Sequence, residues 1–290
     1  SMADGLSIRK LYVDSRFRSS GTTDDFEMQL EQSIQLPANA HCYLSEFTGV
    51  VSWETINESN RNLYIGENVG TVTTHRIVQL PLGAHDSESL RQVVQDSLNA
   101  GRPTGLGTYS VLRSSSAGSS AAAASLGSAA YRYYTVTVSS GSFCIISDSL
   151  LESEGWYTGV WKTGGGPPYN TKQIKSTNEL FQFADQLLFQ SSHVSKFVDL
   201  RSKHSIFLHS SLGNNDSIGP NGLRSILGKI PIDGAYGSIV HYEHGGSPFD
   251  MTSVGPANLF RIRFFLRDAR NNKVSLQGGH WYGTIVFCLG

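Results

Sequence analysis

The sequence predicts an all-β protein, a single jelly-roll β-sandwich that carries a small α-containing insertion. Three observations favour this fold class. Apolar and polar side chains alternate with a period of two along most of the chain, as they do in half-buried strands. Turn-forming residues separate these segments, and the chain has 30 glycines. One segment has a convincing helical period, and many short strands with one good helix are typical of a sandwich.

The strands of the N-terminal half are indicated by alternation and by the turns that end them. Phe26, Met28 and Leu30 alternate with charged or amide side chains, and a proline ends this segment. Residues 131–138 and 143–146 flank a Ser-Ser-Gly turn, so they are predicted to form a hairpin. Further strands are predicted over residues 42–53, 63–65 and 76–80.

The strands of the C-terminal half have the clearest patterns. Phe260, Ile262, Phe264 and Leu266 are predicted to form the buried face of one strand. Residues 281–289 are nearly all apolar, which is the pattern of a strand buried on both faces. Additional apolar strand segments are predicted over residues 205–208, 224–230, 238–242 and 274–276.

One helix is well supported, and it is predicted to begin at Asp86 or Ser87. Either side chain can cap the helix, and Glu88 follows in the first turn, where the helix dipole favours a negative charge. An apolar stripe with helical spacing runs to Leu98, and the segment Asn99-Ala100-Gly101 ends the helix. Residues 179–189 fit a second, weaker helix, but they also fit a strand.

These elements predict three parts of the chain. Residues 1–25 form an extended N-terminal arm, residues 26–70 together with 177–290 form the jelly-roll core, and residues 71–176 form the insertion. Within the insertion, residues 114–130 contain seven serines and seven alanines but no aromatic or charged side chain. Such a segment cannot bury enough surface to offset the entropy of ordering, so it is predicted to be a mobile, exposed loop.

Composition and charge exclude several classes of protein. Lys and Arg number 23 against 24 Asp and Glu, so the net charge is −1, and a broadly basic nucleic-acid coat is excluded. The three cysteines lie far apart in apolar runs, so we expect buried thiols in a reducing compartment and no zinc site. The start of the sequence lacks the pattern of a secretion signal, and no apolar run is long enough to span a membrane.

No pattern in the sequence points to catalysis, a cofactor or a metal ion. Residues 222–229 imitate a phosphate-binding loop, but five residues separate the glycines instead of four, and the context is strand-like. The segment His241-Tyr242-Glu243-His244 holds metal-binding side chains, but a strand would point them alternately to its two faces. Asp24 and Asp25 are interpreted as a solvated turn. The chain is therefore predicted not to be an enzyme.

Arginine and aromatic side chains share the outward face of the predicted strand 260–267. A nucleic-acid surface is one interpretation, and a polar strand face or a contact between subunits is the other. The second is favoured because the net charge is near zero and the arginines are not in one block. Arginine and aromatic side chains are enriched at interface centres, so a subunit contact is predicted for Arg261, Arg263, Phe265 and Arg267.

The N-terminal arm is also predicted to take part in assembly. Its short apolar element contains Leu11, Tyr12 and Val13, and Arg16 and Phe17 follow. An isolated strand of this kind needs an edge to pair with, and in an assembly a neighbouring subunit can supply that edge.

Two stretches of the sequence resemble a known family. The first is Leu11-Tyr12-Val13-Asp14-Ser15-Arg16-Phe17-Arg18, and the second is Ile226-Leu227-Gly228-Lys229-Ile230-Pro231-Ile232. They resemble the penton, or minor capsid, proteins of Polinton-like viruses, adintoviruses and virophages. The resemblance implies a non-enzymatic single jelly roll that forms homopentamers at the vertices of an icosahedral shell. It also implies a place in the virion and a double jelly-roll major capsid protein as partner.

Two other functions remain as alternatives. A jelly roll can serve as a carbohydrate-binding or attachment module, in which exposed Trp53, Trp156 and Trp161 would stack on sugars. A cupin-like metal enzyme would need histidine and carboxylate ligands that converge inside the barrel.

Overall fold

The fold is described from a computed structural model of the full chain. The structure describes residues 7–115, 131–152, 175–183, 187–213, 219 and 224–290. The chain divides into two compact units, which are Ser1–Trp53 with Lys203–Gly290 (unit 1) and Glu54–Ser202 (unit 2). Each unit has its own buried core.

Unit 1 is a sandwich of two antiparallel sheets, which confirms the predicted fold class. The strands of unit 1 are β1 (Ile8–Asp14), β2 (Ser20–Thr22), β3 (Asp25–Leu36), β4 (His41–Val50), β11 (Ser205–Ser210), β12 (Ile226–Pro231), β13 (Ile239–Glu243), β14 (Thr252–Ser253), β15 (Ala257–Asp268) and β16 (Tyr282–Cys288). The order of sheet A is β1-β16-β4-β13, with β14 also paired to β4, and the order of sheet B is β12-β11-β15-β3-β2.

The core of unit 1 is organised around Trp281, which lies just before β16. Its ring stacks on Phe47 at 5.0 Å between centroids and contacts Phe26 at 5.6 Å. Phe264 meets the same ring edge-on at 6.1 Å. The indole N–H donates to the carbonyl of Thr23 at 2.9 Å, so the one polar atom of this side chain is satisfied in the core.

The alternating pattern of β15 is interrupted by a bulge. The register against β3 shifts between Leu259 and Arg261, so Phe260 has no direct partner. Four β3 residues, 30–33, stand against this one β15 residue, and the inward-facing positions of β15 are odd-numbered before the irregularity and even-numbered after it. Leu259 packs against the core before the bulge, and Ile262, Phe264 and Leu266 do so after it. The prediction that Phe260 shares the buried face is therefore wrong, since Phe260 is exposed.

The N-terminal strand finds its edge within its own chain. β1 pairs antiparallel with β16 along its whole length, from Ile8 opposite Cys288 to Asp14 opposite Tyr282. β2 likewise pairs with β3. Residues 8–25 are therefore part of the sandwich and not a free arm. The edge of β16 that is not paired with β4 supplies the partner that β1 needs. The predicted arm residues 1–6 lie outside the described part of the chain.

Unit 2 has two three-stranded sheets and the main helix. Its elements are β5 (Asn62–Val69), β6 (Val72–Gln79), α1 (Ser87–Asn99), β7 (Tyr109–Ser114), β8 (Tyr133–Val138), β9 (Ser142–Ile145), α2 (Asp148–Glu152), α3 (Asn178–Phe181) and β10 (Ser192–Val194). The sheet orders are β10-β8-β7 and β6-β5-β9.

Helix α1, Ser87–Asn99, confirms the helix that was predicted to begin at Asp86 or Ser87 and to end at Asn99-Ala100-Gly101. The Asp86 side chain accepts from the backbone N–H of Ser89, and the Ser89 hydroxyl is bonded in return by the Asp86 backbone N–H. This reciprocal capping box fixes the start of the helix. The second predicted helix is much shorter than residues 179–189, because α3 ends at Phe181 and Gln182 adopts a left-handed conformation.

Three further predictions about unit 2 need correction. β8 and β9 do not form a hairpin, because β8 pairs with β7 and β10, whereas β9 pairs with β5. Ser114 is a buried residue of β7 and not the start of a loop, and the remaining predicted loop residues from 116 onward lie outside the described part. Residues 54–70 and 177–202 belong to unit 2, whereas the sequence predicts them in the jelly-roll core.

Unit 2 contains a buried ion pair. The Glu67 carboxylate is fully buried and accepts three hydrogen bonds of 2.9–3.1 Å from the Arg76 guanidinium. The Tyr109 hydroxyl donates to the same carboxylate at 2.6 Å. Arg76 also donates to the carbonyls of Leu98 and Ala100, at the end of α1. This network joins β5, β6, β7 and the helix terminus through one carboxylate.

Candidate functional site

The outward face of β15 carries the four residues that the sequence predicts at a contact. β15 lies between β11 and β3 in sheet B, and its inward side chains fill the core. Arg261, Arg263, Phe265 and Arg267 share the opposite face, as predicted. The side chains of Arg261 and Arg263 are 62% and 51% exposed, whereas that of Arg267 is 13% exposed. We call these four residues the arginine face.

Ion pairs with β3 hold the arginine face in place. Arg263 donates two hydrogen bonds to the Asp25 carboxylate, at 2.9 and 2.8 Å. Arg267 lies 4.0 Å from the same carboxylate, and Arg261 lies 3.7 Å from Glu27. The hydrogen bond from Arg263 lowers the pKa of Asp25 below its ordinary value. Asp25 is thus the first residue of a strand and an ion-pair partner, which corrects its interpretation as a solvated turn.

Phe265 is the centre of this face. The guanidinium carbons of Arg263 and Arg267 lie 4.6 and 4.9 Å from the centroid of the Phe265 ring. The His209 ring of β11 stacks on the same phenyl ring at 4.9 Å, with 15° between the planes. Two cations and an imidazole therefore surround one half-buried aromatic ring.

Sequence reasoning missed His209 and Asp25 as parts of this face. His209 is opposite Phe265 only through the register of β11 against β15, which no local pattern indicates. For β3 the sequence does contain a signal. Acidic and amide residues occupy alternate positions of β3, as arginines do on β15, and oppositely charged side chains on neighbouring strands of one sheet face pair favourably.

Acid is expected to destabilise the protein through its buried histidines. Burial lowers the pKa of His209, and Arg267 lowers it further. Burial also lowers the pKa of His75, His85 and His193. Below a pH of about 6.5 the unfolded chain therefore binds more protons than the folded chain, so stability falls as the pH falls. Urea midpoints measured at pH 7.5, 6.5 and 5.5 should decrease in that order.

Urea midpoints of histidine variants, measured at the same pH values, distinguish the contribution of His209 from that of the other buried histidines. His209→Gln should reduce the fall in midpoint between pH 7.5 and 5.5, because one buried titrating group is removed. His41→Gln, at an exposed position, should leave the fall unchanged. A midpoint that rises on acidification would contradict the prediction.

The predicted assembly residues of the N-terminal segment divide between two faces of sheet A. Val13 is buried in the core and Leu11 packs against it, whereas Tyr12 points outward and is 70% exposed. Phe17 is exposed in the short 3₁₀ turn that follows β1. Arg16 holds the Asp14 carboxylate, with a shortest distance of 2.6 Å. The structure therefore places Tyr12, Arg16 and Phe17 on the surface and the other two inside.

Tyr12 belongs to a larger apolar strip that sequence reasoning missed. Tyr12 is opposite Thr284, and Tyr282 is opposite both Asp14 and Thr48, so these side chains share the outward face of sheet A. On the same face, Ile239 of β13 is opposite Val50 of β4 and is 74% exposed. One exposed apolar residue from each of four neighbouring strands thus forms a diagonal, which we call the apolar diagonal: Tyr12, Tyr282, Val50 and Ile239.

The other candidate residues have simple structural surroundings. On β13, His241 and Glu243 lie on one face, 3.1 Å apart, as the strand pattern predicts. Among the described residues, no three histidine, cysteine or acidic side chains are grouped as a metal site.

Trp53 is buried and unavailable for sugar stacking, which corrects the prediction that it is exposed, and Trp156 and Trp161 lie outside the described residues. In the described parts of the chain, no helix is long and apolar enough to cross a membrane.

Comparison with known proteins finds similarity in structure and not in sequence. No protein-family model matches the sequence, and no curated protein matches it either. The fold is similar to the crystal structure of the selenomethionine-labelled penton protein of mavirus, with a TM-score of 0.53 and 9% sequence identity. The similarity covers 97% of this chain and 99% of that chain. It therefore extends over both units and concerns the fold.

Proposed function

We propose that this chain is a structural capsid protein that forms the vertices of an icosahedral shell, in a virus or an integrated virus-like element. The observation that carries the proposal is the end-to-end similarity to a penton protein, which includes unit 2 as well as the sandwich. In this proposal five copies form a closed ring, a double jelly-roll major capsid protein surrounds it, and the chain resides in the virion without a catalytic role.

A ring of identical copies needs two different contact surfaces on each copy. Such a contact is heterologous, because one patch meets a different patch on the next copy, and the rotation must close. The arginine face lies on the outward side of sheet B, and the apolar diagonal lies on the outward side of sheet A. The outward sides of a sandwich point in opposite directions, as the two lateral faces of a ring subunit do. We assign the arginine face and the apolar diagonal to these two lateral faces.

The chemistry of the two patches suits a contact that excludes water. Arginine and aromatic side chains are enriched at interface centres. The ion pairs with Asp25 and Glu27 hold the guanidinium groups in place before binding, so less side-chain entropy is lost on association. Tyr12 and Tyr282 offer a rigid apolar surface with hydroxyl groups that can bond a guanidinium or a carboxylate.

The same ion pairs argue against a nucleic-acid surface. The three arginines of the arginine face neighbour Asp25 and Glu27. A surface that binds phosphates gains affinity by neutralising them with free cations. On this face part of the positive charge is already balanced by the protein.

The proposal is tested by measuring the mass of the purified chain by analytical ultracentrifugation over a range of concentrations. We expect a species with five copies of the 31.6 kDa chain. Arg261→Gln on one patch, and Tyr12→Ser on the other, should each weaken this species while the melting temperature changes little, because both side chains are exposed. Arg102→Gln, at an exposed arginine of unit 2, is the control and should assemble normally.

Mixing the two variants distinguishes a heterologous contact from a symmetric one. Each Arg261→Gln copy keeps an intact apolar diagonal, and each Tyr12→Ser copy keeps an intact arginine face. One intact contact can therefore form between the two variants, and it leads to dimers and not to rings. Full assembly of both variants would contradict the assignment of the patches. A wild-type chain that stays monomeric throughout would contradict ring formation by the isolated chain.

A further inference from the structure

Unit 1 has a groove at one edge of the sandwich, with a volume of about 390 Å³. One wall is the edge strand β12, and the other is the end of β13 with the turn that leads into β14. Its lining includes Ile226 and Lys229 on one side, and His244, Phe249, Asp250 and Met251 on the other. Phe249 stands at the rim and is 93% exposed.

The wall formed by β12 offers unpaired backbone groups. β12 pairs with β11 on one side, and among the described residues it has no strand on the other side. The backbone N–H of Ile232 donates to the carbonyl of His204, and the register continues with Ile230 opposite Ile206. Since bonding positions alternate in an antiparallel pair, Lys229 directs its N–H and C=O away from β11. These are the groups that an added strand would use.

Close packing holds β12 in this position. A Cβ atom placed on Gly228 would lie 2.9 Å from Cδ2 of Leu44 in the facing sheet. Glycine leaves room here for the Leu44 side chain, because the two sheets approach closely beneath the groove, and a larger residue would require Leu44 to shift. The wall is fixed by the core, and the groove is formed before any ligand arrives.

The opposite wall contains a buried donor without an acceptor. The His244 side chain is 5% exposed, and its ring packs against Tyr43 at 4.4 Å between centroids. The backbone N–H of Gly246 donates to Nδ1 of His244 at 3.0 Å, so in the neutral ring the proton is on Nε2. That Nε2 atom is buried and has no hydrogen-bond partner, and the Asp250 carboxylate lies 3.8 Å from it. A buried donor left in this way lowers stability, and an acceptor in the groove would satisfy it.

We propose that this groove binds an extended peptide segment of a partner protein. The segment lies beside β12 as a sixth strand of sheet B and pairs with the free N–H and C=O of Lys229. One of its carbonyl oxygens accepts the hydrogen bond from Nε2 of His244. An apolar side chain of the segment, on the face that points into the groove, packs against Ile226, Met251 and Phe249.

A peptide fits the groove better than an ion or a small anion does. A metal ion would find one imidazole and one carboxylate, which is too few ligands for a protein site. An anion near Nε2 of His244 would lie close to the Asp250 carboxylate, which repels it. A peptide carbonyl is a neutral acceptor, and the peptide also supplies the donors and acceptors that match a strand edge.

The test uses a displayed library of random octapeptides, panned against the full chain. We expect enriched peptides with apolar residues at alternate positions, and we expect bound peptide to slow hydrogen exchange at the amide of Lys229. His244→Phe should weaken the selected peptides about tenfold, the effect of losing one good hydrogen bond. His241→Phe, on the outward face of the adjoining strand β13, is the matched control and should leave the affinity unchanged.

A second variant guards against loss of folding. Phe249→Ser removes an exposed side chain and no core volume, so a folded protein with weaker peptide binding is expected. The proposal is overturned if panning enriches no peptide, or if the enriched peptides bind the His244→Phe and Phe249→Ser variants as tightly as the original chain. Binding that leaves exchange at Lys229 unchanged would also overturn it, since the peptide would then lie elsewhere. These outcomes do not depend on whether the chain forms rings.

Discussion

Replacing Arg76 with methionine should lower the free energy of unfolding of unit 2 by about 3–5 kcal/mol, the usual cost of removing one partner of a buried ion pair. The Glu67 carboxylate is fully buried, and Arg76 provides three of the hydrogen bonds that it accepts. Without the guanidinium, the charge stays in the core with the Tyr109 hydroxyl as its remaining donor. Urea unfolding followed by circular dichroism measures the effect.

Two further variants identify the uncompensated charge as the cause. The double variant Arg76→Met with Glu67→Gln should recover part of the loss, because the introduced amide is neutral and its oxygen still accepts from Tyr109. Arg61→Met removes a guanidinium that pairs with an exposed carboxylate, so it should cost at most about 1 kcal/mol. If Arg76→Met costs no more than Arg61→Met, the ion pair does not hold unit 2 together.

Replacing Trp281 with alanine should destabilise unit 1 by about 3–5 kcal/mol. The indole is buried among Phe26, Phe47 and Phe264, and no neighbouring side chain can fill the space that it leaves. The carbonyl of Thr23 would also lose its donor. Thermal unfolding of this variant should show a large fall in the transition of unit 1, and far-UV circular dichroism reports whether the sheets still form.

Trp281→Phe and Phe17→Ala complete this series. Phenylalanine retains part of the ring volume, so Trp281→Phe should cost less than alanine, although it still loses the hydrogen bond to Thr23. Phe17 is exposed, so its truncation should change stability by less than about 0.5 kcal/mol. An alanine at position 281 that is tolerated as well as an alanine at position 17 would mean that the core does not depend on the indole.

The local sequence pattern was sufficient to predict an element where the element has a regular apolar period or an apolar run and is bounded by a cap, turn or proline. The period-two alternation from Phe26 onward predicted β3, and the nearly continuous apolar run from 281 predicted β16. Helix α1 was predicted with its start at Asp86 or Ser87 and its end at Asn99-Ala100-Gly101, because an acidic cap, an apolar stripe and a glycine after its end agree with one another. In each case the signal lies within about 15 residues of sequence.

Local pattern failed where the partner of a strand decides the outcome. Residues 133–138 and 142–145 are joined by a good turn, yet they pair with different strands. Phe260 continues the alternation of β15, but a bulge set by the register against β3 turns it outward. A turn or an alternating pattern indicates where one strand lies. Which strands pair, and in which register, depends on the burial of the whole sheet.

For the candidate surfaces, too, the sequence predicted part of the arrangement and the tertiary structure decided the rest. The sequence by itself determined the β-sandwich class, the main helix, the low charge and the shared face of Arg261, Arg263, Phe265 and Arg267, because each depends on composition or on a fixed side-chain period. Only the tertiary structure placed Asp25 and His209 on that face, aligned Tyr12 with Tyr282 across strands, and brought His244 opposite β12. Those neighbours are separated by tens to hundreds of residues, and no local period connects them. Strand order and register decide which side chains meet, and these are set by the packing of the whole core.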